Sequence, residues 1–399
     1  MGILRRRPLW LSLLTVFCLA SCSSLPRDPV PPALADNAAV IEGVQVRYWG
    51  DRAPENIDAL AAEKWAQVGA TRPYLLKKAR PQINFLAVSG GGSDGAFGAG
   101  LLVGWTARGD RPEFDIVTGI STGALTAPFA FLGPRYDPAL KAVYTTYSTD
   151  QLVTKQPIRG LLGGEALSSN ARLARVIAGY VDETFLQEVA HEHNRGRRLL
   201  IGTTNLDAQR PVIWDMGKIA TSGDPHSLAL FRNVLLASAA IPGVFPPVYI
   251  KVQVEGQVRE EMHVDGGTTN QVFLLPTQIR TGSIDAKLGV NPTRRLYIIR
   301  NGRVAPEFKA VKGSTLAIAG RSISTLIKTQ GVGDLYQMYE LARSNHVAYN
   351  LAYISGDFPD TSTEAFDIQY MSKLFELGVE LGKSGDAWKK KPPRLGGGA

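Results

Sequence analysis

Two glycine-rich turns constrain the fold of this chain more than any other feature. The first turn, residues 90–95, follows the apolar run 83–88, and the second turn, residues 119–123, follows the run 114–118. Short apolar runs that end in glycine are typical of strands buried on both faces of a parallel sheet. Because a helical pattern follows each turn, the repeated unit is strand, turn and helix, which predicts an α/β fold.

The rest of the chain alternates in the same way. Strand patterns lie at residues 199–203, 211–214 and 295–300, helical patterns at 95–107, 122–132, 227–240 and 333–345, and a hairpin pattern at 248–254 and 257–264. Such alternation predicts a three-layer αβα sandwich with a mainly parallel central sheet.

The first 22 residues have the features of an export signal. Arginines at positions 5–7 precede a run of twelve mostly apolar residues, 9–20. That run is too short to span a hydrocarbon core, which needs about 20 helical residues. The pattern therefore predicts a secretory signal. The tetrapeptide 19–22 resembles a bacterial lipobox, which implies that residues 1–21 are removed and that Cys22 is lipidated. An ordinary signal peptide cut elsewhere is the alternative.

Composition narrows the cellular setting and the chemistry. Both cysteines, Cys18 and Cys22, lie in the signal segment, so the mature chain has no thiol for a disulfide, and acylation gives Cys22 a role. The protein is expected to be anchored in the cell envelope, at the outer membrane. The formal charge of +8 comes without a basic stripe interleaved with aromatic residues, so no nucleic-acid partner is predicted. The histidine at 191 and its neighbour at 193 lack metal spacing, and neither a metal nor a cofactor is predicted.

Composition shifts also divide the chain into segments. Residues 22–50 are rich in proline and predict a tether, and residues 51–80 predict a helical extension. Residues 81–385 form the predicted main domain. Residues 386–399 are basic and rich in glycine and proline, which predicts a flexible tail.

The second glycine turn, Gly119-Ile120-Ser121-Thr122-Gly123, has the pattern of a nucleophile elbow. A serine at a sharp turn from strand to helix needs small neighbours, because the backbone there is crowded. The helix that follows directs N–H groups at an anion forming near the serine. The first turn contains a second match around Ser93, but its run of glycines is better explained by a need for bare backbone N–H groups. Ser121 is therefore the stronger candidate.

The first turn also satisfies the pattern G-x-G-x-x-G, which has more than one use. Its N–H groups would cradle a dinucleotide pyrophosphate or stabilise an oxyanion. Asp110, Glu113 and Asp115 lie near the spacing that a dinucleotide site requires. The export signal and the serine elbow one strand later favour the oxyanion hole. A loop that serves only close packing is the third alternative.

A third motif, Asp265-Gly266-Gly267, ends a strand pattern. An aspartate in a tight turn is a candidate general base for the serine hydroxyl, although an aspartate that only caps a turn is common. His263 lies two residues earlier and points to the same face of a strand. It is a rival base or, more simply, a hairpin side chain near the rim.

These three motifs, in this order, resemble the patatin-like phospholipase family. The segments TTNLDAQRPVIWDM and LLASAAIPGVFPPVYI between them also resemble it, and the similarity covers residues 82–270 well. The resemblance implies the patatin-like αβα fold, a Ser121–Asp265 dyad and an ester of a membrane lipid as substrate. It assigns the oxyanion hole to Gly90, Gly91 and Gly92 and the supporting turns to Gly95, Gly119, Gly123, Gly266 and Gly267.

One position departs from the family pattern. The family's glycine loop usually carries Arg or Lys where this chain has Asp94. Loss of that cation weakens the case for a headgroup phosphate at this spot and leaves the ester chemistry intact. A small-molecule esterase or thioesterase with the same dyad, and a non-catalytic envelope lipoprotein, therefore stay open. The oligomeric state is not predicted.

Overall fold

A computed structural model describes residues 27–78, 80–155, 165–362 and 364–393. The predicted signal peptide and Cys22 lie outside the described residues. Within them, a mixed nine-stranded sheet lies between two layers of helices, which confirms the predicted α/β fold with a mainly parallel sheet.

The strands and helices follow one another along most of the chain. The strands are β1 Arg47–Trp49, β2 Gln82–Val88, β3 Ile116–Ile120, β4 Thr154–Lys155, β5 Ser168–Ser169, β6 Arg198–Asn205, β7 Arg210–Asp215, β8 Val248–Val254, β9 Gln257–Asp265, β10 Thr293–Arg303 and β11 Val347–Ile354. The helices are α1 Ile57–Thr71, α2 Pro73–Leu76, α3 Gly95–Arg108, α4 Thr122–Leu132, α5 Asp137–Thr145, α6 Thr149–Leu152, α7 Ala171–Tyr180, α8 Glu183–Asn194, α9 Met216–Thr221, α10 Ser227–Ser238, α11 Thr281–Leu288, α12 Thr315–Ser344 and α13 Ile368–Ser384.

The centre of the sheet is parallel, in the order β6-β3-β2-β10-β11. Alternate residues of β2 enter two different apolar cores: Leu86 and Val88 pack under α3, whereas Phe85 and Ala87 pack on the opposite face. Burial on both faces explains why this strand is a continuous apolar run rather than an alternating one. All five parallel strands therefore end at one edge of the sheet, beneath the two glycine turns.

Antiparallel strands complete the sheet beside β6. One edge of β6 is shared by two strands, because β3 pairs with residues 198–202 and β9 pairs with residues 203–205. Since β9 runs the opposite way, its last residue, Asp265, lies opposite Thr203, one position beyond the Ile120–Gly202 pair that ends β3. This pairing brings the DGG turn to the serine elbow.

The structure corrects the predicted domain boundaries. The predicted tether contains β1, which pairs with β7 in the main sheet, and Arg27 donates two hydrogen bonds to Asp207. The main domain therefore begins well before residue 81. The predicted tail also packs on the domain, since the Trp388 ring lies 4.8 Å from that of Trp105. Strand pairing at the N-terminal end and aromatic packing at the C-terminal end outweigh the local proline and glycine content.

Two predicted elements have other boundaries. The strand predicted at 114–118 is β3, Ile116–Ile120, and the helix predicted at 333–345 is the C-terminal part of the 30-residue α12. In the described parts of the chain, every helix is too short or too polar to span a membrane.

Candidate active site

Ser121 occupies a strained backbone conformation between β3 and α4. Its φ is 56° and its ψ is −125°, a region that costs a non-glycine residue about 1–3 kcal/mol. The turn is possible because its flanking residues are glycines: a Cβ on Gly119 would collide with the carbonyl oxygen of Gly123, and a Cβ on Gly123 would collide with that of Val88. The elbow predicted from the sequence is therefore present, and the first turn of α4 faces the serine.

Ser238 holds the elbow in place, and the sequence patterns did not reveal it. The Ser121 N–H donates to the Ser238 hydroxyl at 3.0 Å, and that hydroxyl donates to the carbonyl of Gly202 at 2.6 Å. Both bonds are buried, so the elbow is tied to the end of β6. A serine in the last turn of α10 has no motif of its own, and only the packing of α10 against β6 brings it there.

Asp265 lies in the same junction, where β9 ends. Its Oδ1 accepts the N–H of Gly267 at 2.7 Å, and its Oδ2 is buried without a hydrogen-bond partner among the described residues. Burial raises the pKa of the Asp265 carboxyl to about 7, while the neighbouring Ser121 hydroxyl and the Gly267 N–H oppose that rise. A carboxylate with such a pKa is a stronger base than an exposed aspartate.

His263 does not reach the serine. The ring is fully buried rather than at the rim, because β9 lies inside the molecule at this point. Its Nδ1 lies 3.0 Å from the Thr203 hydroxyl, and its Nε2 lies 3.1 Å from Glu261. With both nitrogens engaged, and its pKa lowered by burial, His263 has no free atom to serve as the base.

The glycine loop differs from its prediction at one residue. The Gly90 N–H donates to the carbonyl of Gln271 at 3.0 Å, so it is not available to an oxyanion. The N–H groups of Gly91 and Gly92 have no partner among the described residues. Gly91 must be glycine, because a Cβ would collide with the carbonyl oxygen of Asn301. Gly91 and Gly92 are therefore the candidate oxyanion donors, with Gly90 as a structural residue.

Side chains from β10 clamp this loop. The Asn301 amide donates to the carbonyl of Ser89 at 2.9 Å and accepts the N–H of Gly98 at 3.1 Å. The guanidinium of Arg300 is buried behind the loop, with Nη1 3.3 Å from both the Ser89 hydroxyl and the Gly90 carbonyl. This loop-facing cation comes from a strand some 200 residues away, so the glycine motif itself did not predict it.

The side chain of Asp94 contacts α13. Its carboxylate accepts a hydrogen bond from the Tyr370 hydroxyl at 2.6 Å, and burial raises its pKa to about 6. Arg300 thus supplies positive charge behind the loop although the loop itself carries an acid. Ser93 lies in the short 3-10 turn Gly92–Asp94, not at the end of a strand.

The remaining predicted glycines also lie at the junction. Gly95 begins α3 against Thr122, and Gly266 packs on the carbonyl of Gly202. Gly267 contacts Asp265 and the amide of Gln271.

An apolar pocket opens at Ser121 between helices α4, α5, α7 and α10. Its walls are almost entirely aliphatic and aromatic, and the residues that line it include Leu125, Phe129, Leu173, Ile177, Leu235 and Phe245. Elsewhere in the described ranges, no group of three or more His, Cys, Asp or Glu side chains is arranged to hold a metal ion. The site therefore combines a hydroxyl, a carboxyl and unpaired N–H groups beside an apolar pocket.

Two solved structures and one family model are similar to parts of this chain. The Legionella pneumophila protein VipD has 10% identity and a TM-score of 0.38, and the match covers 76% of this chain and 67% of VipD. Human GIVD cytosolic phospholipase A2 has 10% identity and a TM-score of 0.33, over 86% of this chain and 65% of the human chain. A search of curated proteins gave no match. The family model for the patatin-like phospholipase matches residues 86–277. That part of the chain, just under half of it, is similar to the patatin-like phospholipase family, and it contains Ser121, Asp265 and both glycine turns.

Proposed function

We propose that this protein is a lipid acyl hydrolase that cleaves carboxylic esters of membrane lipids through a Ser121–Asp265 dyad. The family match to residues 86–277 supports a lipid hydrolase. One observation carries the finer proposal: β3 and β9 share an edge of β6, so that the buried Asp265 carboxyl lies beside the strained Ser121, which lines an apolar pocket.

The geometry suggests a two-step reaction. The Ser121 hydroxyl attacks the ester carbonyl while its proton passes to Asp265. The negative charge that develops on the carbonyl oxygen is stabilised by the N–H groups of Gly91 and Gly92, each worth about 3–4 kcal/mol in such sites. Asp265 then returns the proton to the leaving alcohol. Water, deprotonated by Asp265, then attacks the acyl-serine. The bond between the acyl carbon and the Ser121 oxygen breaks, Asp265 returns the proton to that oxygen, and the fatty acid is released.

The pocket favours a lipid over a small polar ester. Burial of aliphatic chain is worth about 0.8 kcal/mol per methylene. The walls formed by Leu173, Ile177 and Leu235 offer this to an acyl chain whose carbonyl lies at Ser121. A small-molecule esterase would gain little from such a pocket, and rates on short esters would then match or exceed those on lipids.

Comparing substrates and serine variants tests the proposal. Hydrolysis of phospholipid vesicles and of short and long p-nitrophenyl esters is measured for wild type, Ser121→Ala and the control Ser93→Ala. We expect kcat/KM to rise with acyl length, Ser121→Ala to lose at least 1,000-fold, and Ser93→Ala to stay within about threefold. Activity that survives in Ser121→Ala, or a preference for acetyl esters, would contradict it.

We also propose that Cys22 is acylated and anchors the protein in the cell envelope, at the outer membrane. The lipobox-like tetrapeptide supports this, and several acyl chains give stable attachment where one does not. Metabolic labelling with an alkynyl fatty acid is expected to mark wild type and not Cys22→Ser, and membrane fractionation to place the labelled protein with the outer membrane. Equal labelling of both proteins would refute the assignment.

A further inference from the structure

An exposed apolar surface lies beyond the edge of the sheet that carries Ser121. We define the rim surface as residues 305–330, the loop after β10 and the first half of α12. Of the exposed large apolar side chains in the described residues, five lie in this short segment: Phe308 at 97% exposed, Leu326 at 69%, Ile323 at 57%, Ile318 at 53% and Val311 at 44%. Clustering of this kind marks an interaction site rather than ordinary surface.

The position of the rim surface follows from strand direction. β10 runs parallel to β2, and the N–H of Asn301 near its end donates to the Ser89 hydroxyl that begins the glycine loop. The loop after Arg303 therefore leaves the sheet at the same edge as the two glycine turns.

The first half of α12 projects from that edge. Gly331 marks the point where the helix crosses the site, because a Cβ there would contact the Arg300 guanidinium and the Gln271 side chain. Buried residues of α12 begin at Gly331 and continue to Ala342. The preceding 16 residues, about 24 Å of helix, bury no described side chain. A helical segment that packs on no apolar core is stable only if another surface covers it or if its contacts to the preceding loop suffice.

The charge of the rim surface indicates which kind of partner it fits. The rim surface carries Lys309, Lys312, Arg321 and Lys328 and one acid, Glu307, a net charge of +3. Glu307 pairs with Lys328 at 2.7 Å and with Arg303 at 3.1 Å, which fixes the loop against the helix and the end of β10. Exposed apolar side chains among basic ones are the pattern of a surface that inserts into an anionic lipid interface.

We propose that the rim surface docks this protein on an anionic phospholipid bilayer, with Phe308 and Leu326 inserted among the acyl chains and Lys309 and Lys312 at the headgroups. Docking through this edge presents the glycine loop and Ser121 to the membrane. The proposal rests on the proposed lipid hydrolysis for its purpose, but docking itself requires no turnover.

Vesicle cosedimentation tests docking without catalysis. The test uses the full chain carrying Cys22→Ser, which removes the predicted anchor, and Ser121→Ala, which removes turnover. This protein is mixed with vesicles of phosphatidylcholine alone or of phosphatidylcholine with roughly one third phosphatidylglycerol. Adding Phe308→Ser and Leu326→Ser is expected to weaken binding to the anionic vesicles at least tenfold. Adding Lys309→Glu and Lys312→Glu instead is expected to weaken binding to anionic vesicles about tenfold or more, with little change on neutral ones.

Tyr74→Ser is the matched control, because Tyr74 is an exposed aromatic residue at the opposite edge of the sheet. It is expected to leave binding unchanged. Equal binding by the Phe308→Ser, Leu326→Ser protein and the control would overturn the proposal. So would a shift from dimer to monomer in size exclusion with vesicle binding unchanged, since a second copy would then cover the surface.

Activity separates this proposal from the function proposed above. In the background with Ser121 intact, Phe308→Ser with Leu326→Ser is expected to reduce vesicle hydrolysis at least tenfold and to leave hydrolysis of a soluble monomeric ester within about twofold. Loss of both activities would contradict a docking role. Absence of any esterase activity in the parent would overturn the proposed function and leave the binding result intact.

Discussion

At the scale of single residues, the proposed chemistry depends on the carboxyl of Asp265, which is buried inside the folded protein. One oxygen of Asp265 is bound to Gly267 and the other has no hydrogen-bond partner among the described residues, and the carboxyl lies next to the serine that it would deprotonate. The motif DGG indicated the residue, but the motif alone predicts neither the burial of Asp265 nor its raised pKa. Both arise because β9 ends against β6, inside the molecule.

The raised pKa of Asp265 predicts how kcat/KM depends on pH. The carboxylate is the active form, so kcat/KM for a soluble ester is expected to rise with pH and to level off above about pH 7, rather than near pH 4 as for an exposed aspartate. Burial lowers the pKa of His263, which therefore does not account for such a limb. A pH–rate measurement over pH 4–9 (about five units) checks it.

Asp94 supplies the control for that profile, because burial raises its pKa to about 6. Asp94→Asn is expected to keep the acid limb where it is. A limb near pH 4 in the wild type, or a limb that disappears in Asp94→Asn, would contradict the assignment of Asp265 as the base.

At the scale of elements, local patterns predicted well where sequence neighbours decide the structure. The helix predicted at 122–132 has those bounds, and the hairpin of β8 and β9 differs by one residue. Patterns failed where contacts with segments distant in the sequence determine the structure. The first half of α12 buries no described side chain, and the helical pattern was recognised only at 333–345, where the helix packs on the sheet. The Gly90 N–H is taken by Gln271, which no loop motif indicates.

The clamp on the glycine loop is also an element-scale feature. Asn301→Ala removes the bonds to Ser89 and Gly98, so we expect a loss of stability of about 1–3 kcal/mol and a fall in kcat of about 10–100-fold, because the N–H donors lose their position. Chemical denaturation and steady-state kinetics measure the two effects.

Asn350→Ala is the matched control for the clamp. Asn350 is a buried asparagine of the neighbouring β11, and its amide donates to the carbonyl of Leu296 at 3.0 Å. It is expected to lose similar stability with kcat nearly unchanged. If both variants lose kcat equally, the clamp has no specific role in catalysis.

At the scale of the whole molecule, the predicted tether and the predicted tail show that local composition is a poor guide to whether a segment packs on the domain. Proline-rich and glycine-rich stretches predicted a tether and a tail, yet β1 joins the sheet and Trp388 packs on Trp105. The αβα order of layers was predictable, because strands and helices alternate along the chain. The placement of β9 on β6 was not, since antiparallel insertion into a parallel sheet leaves no periodic signal.

A buried catalytic carboxyl also has a cost for the stability of the whole fold. The native pKa of Asp265 lies above its ordinary value of 3.8, so the native state holds a proton that the unfolded state has lost between about pH 4 and 7. Stability from this group is therefore present below that window and is lost as the pH rises through it. Asp265→Asn is expected to be more stable than wild type at pH 8, by roughly 1–3 kcal/mol, and about equal at pH 4. Thermal unfolding at both pH values checks this, and a destabilised variant at pH 8 would refute it.

The central claim is that Ser121 is the nucleophile and that Asp265 activates it. Mass spectrometry of the protein after reaction with a fluorophosphonate tests this most directly, because it locates the adduct and times its formation. The predicted result is one adduct on Ser121, retained in Ser93→Ala, absent in Ser121→Ala, and formed at least 100-fold more slowly in Asp265→Asn. An adduct on Ser93, or labelling of Ser121 at the full rate in Asp265→Asn, would contradict the claim.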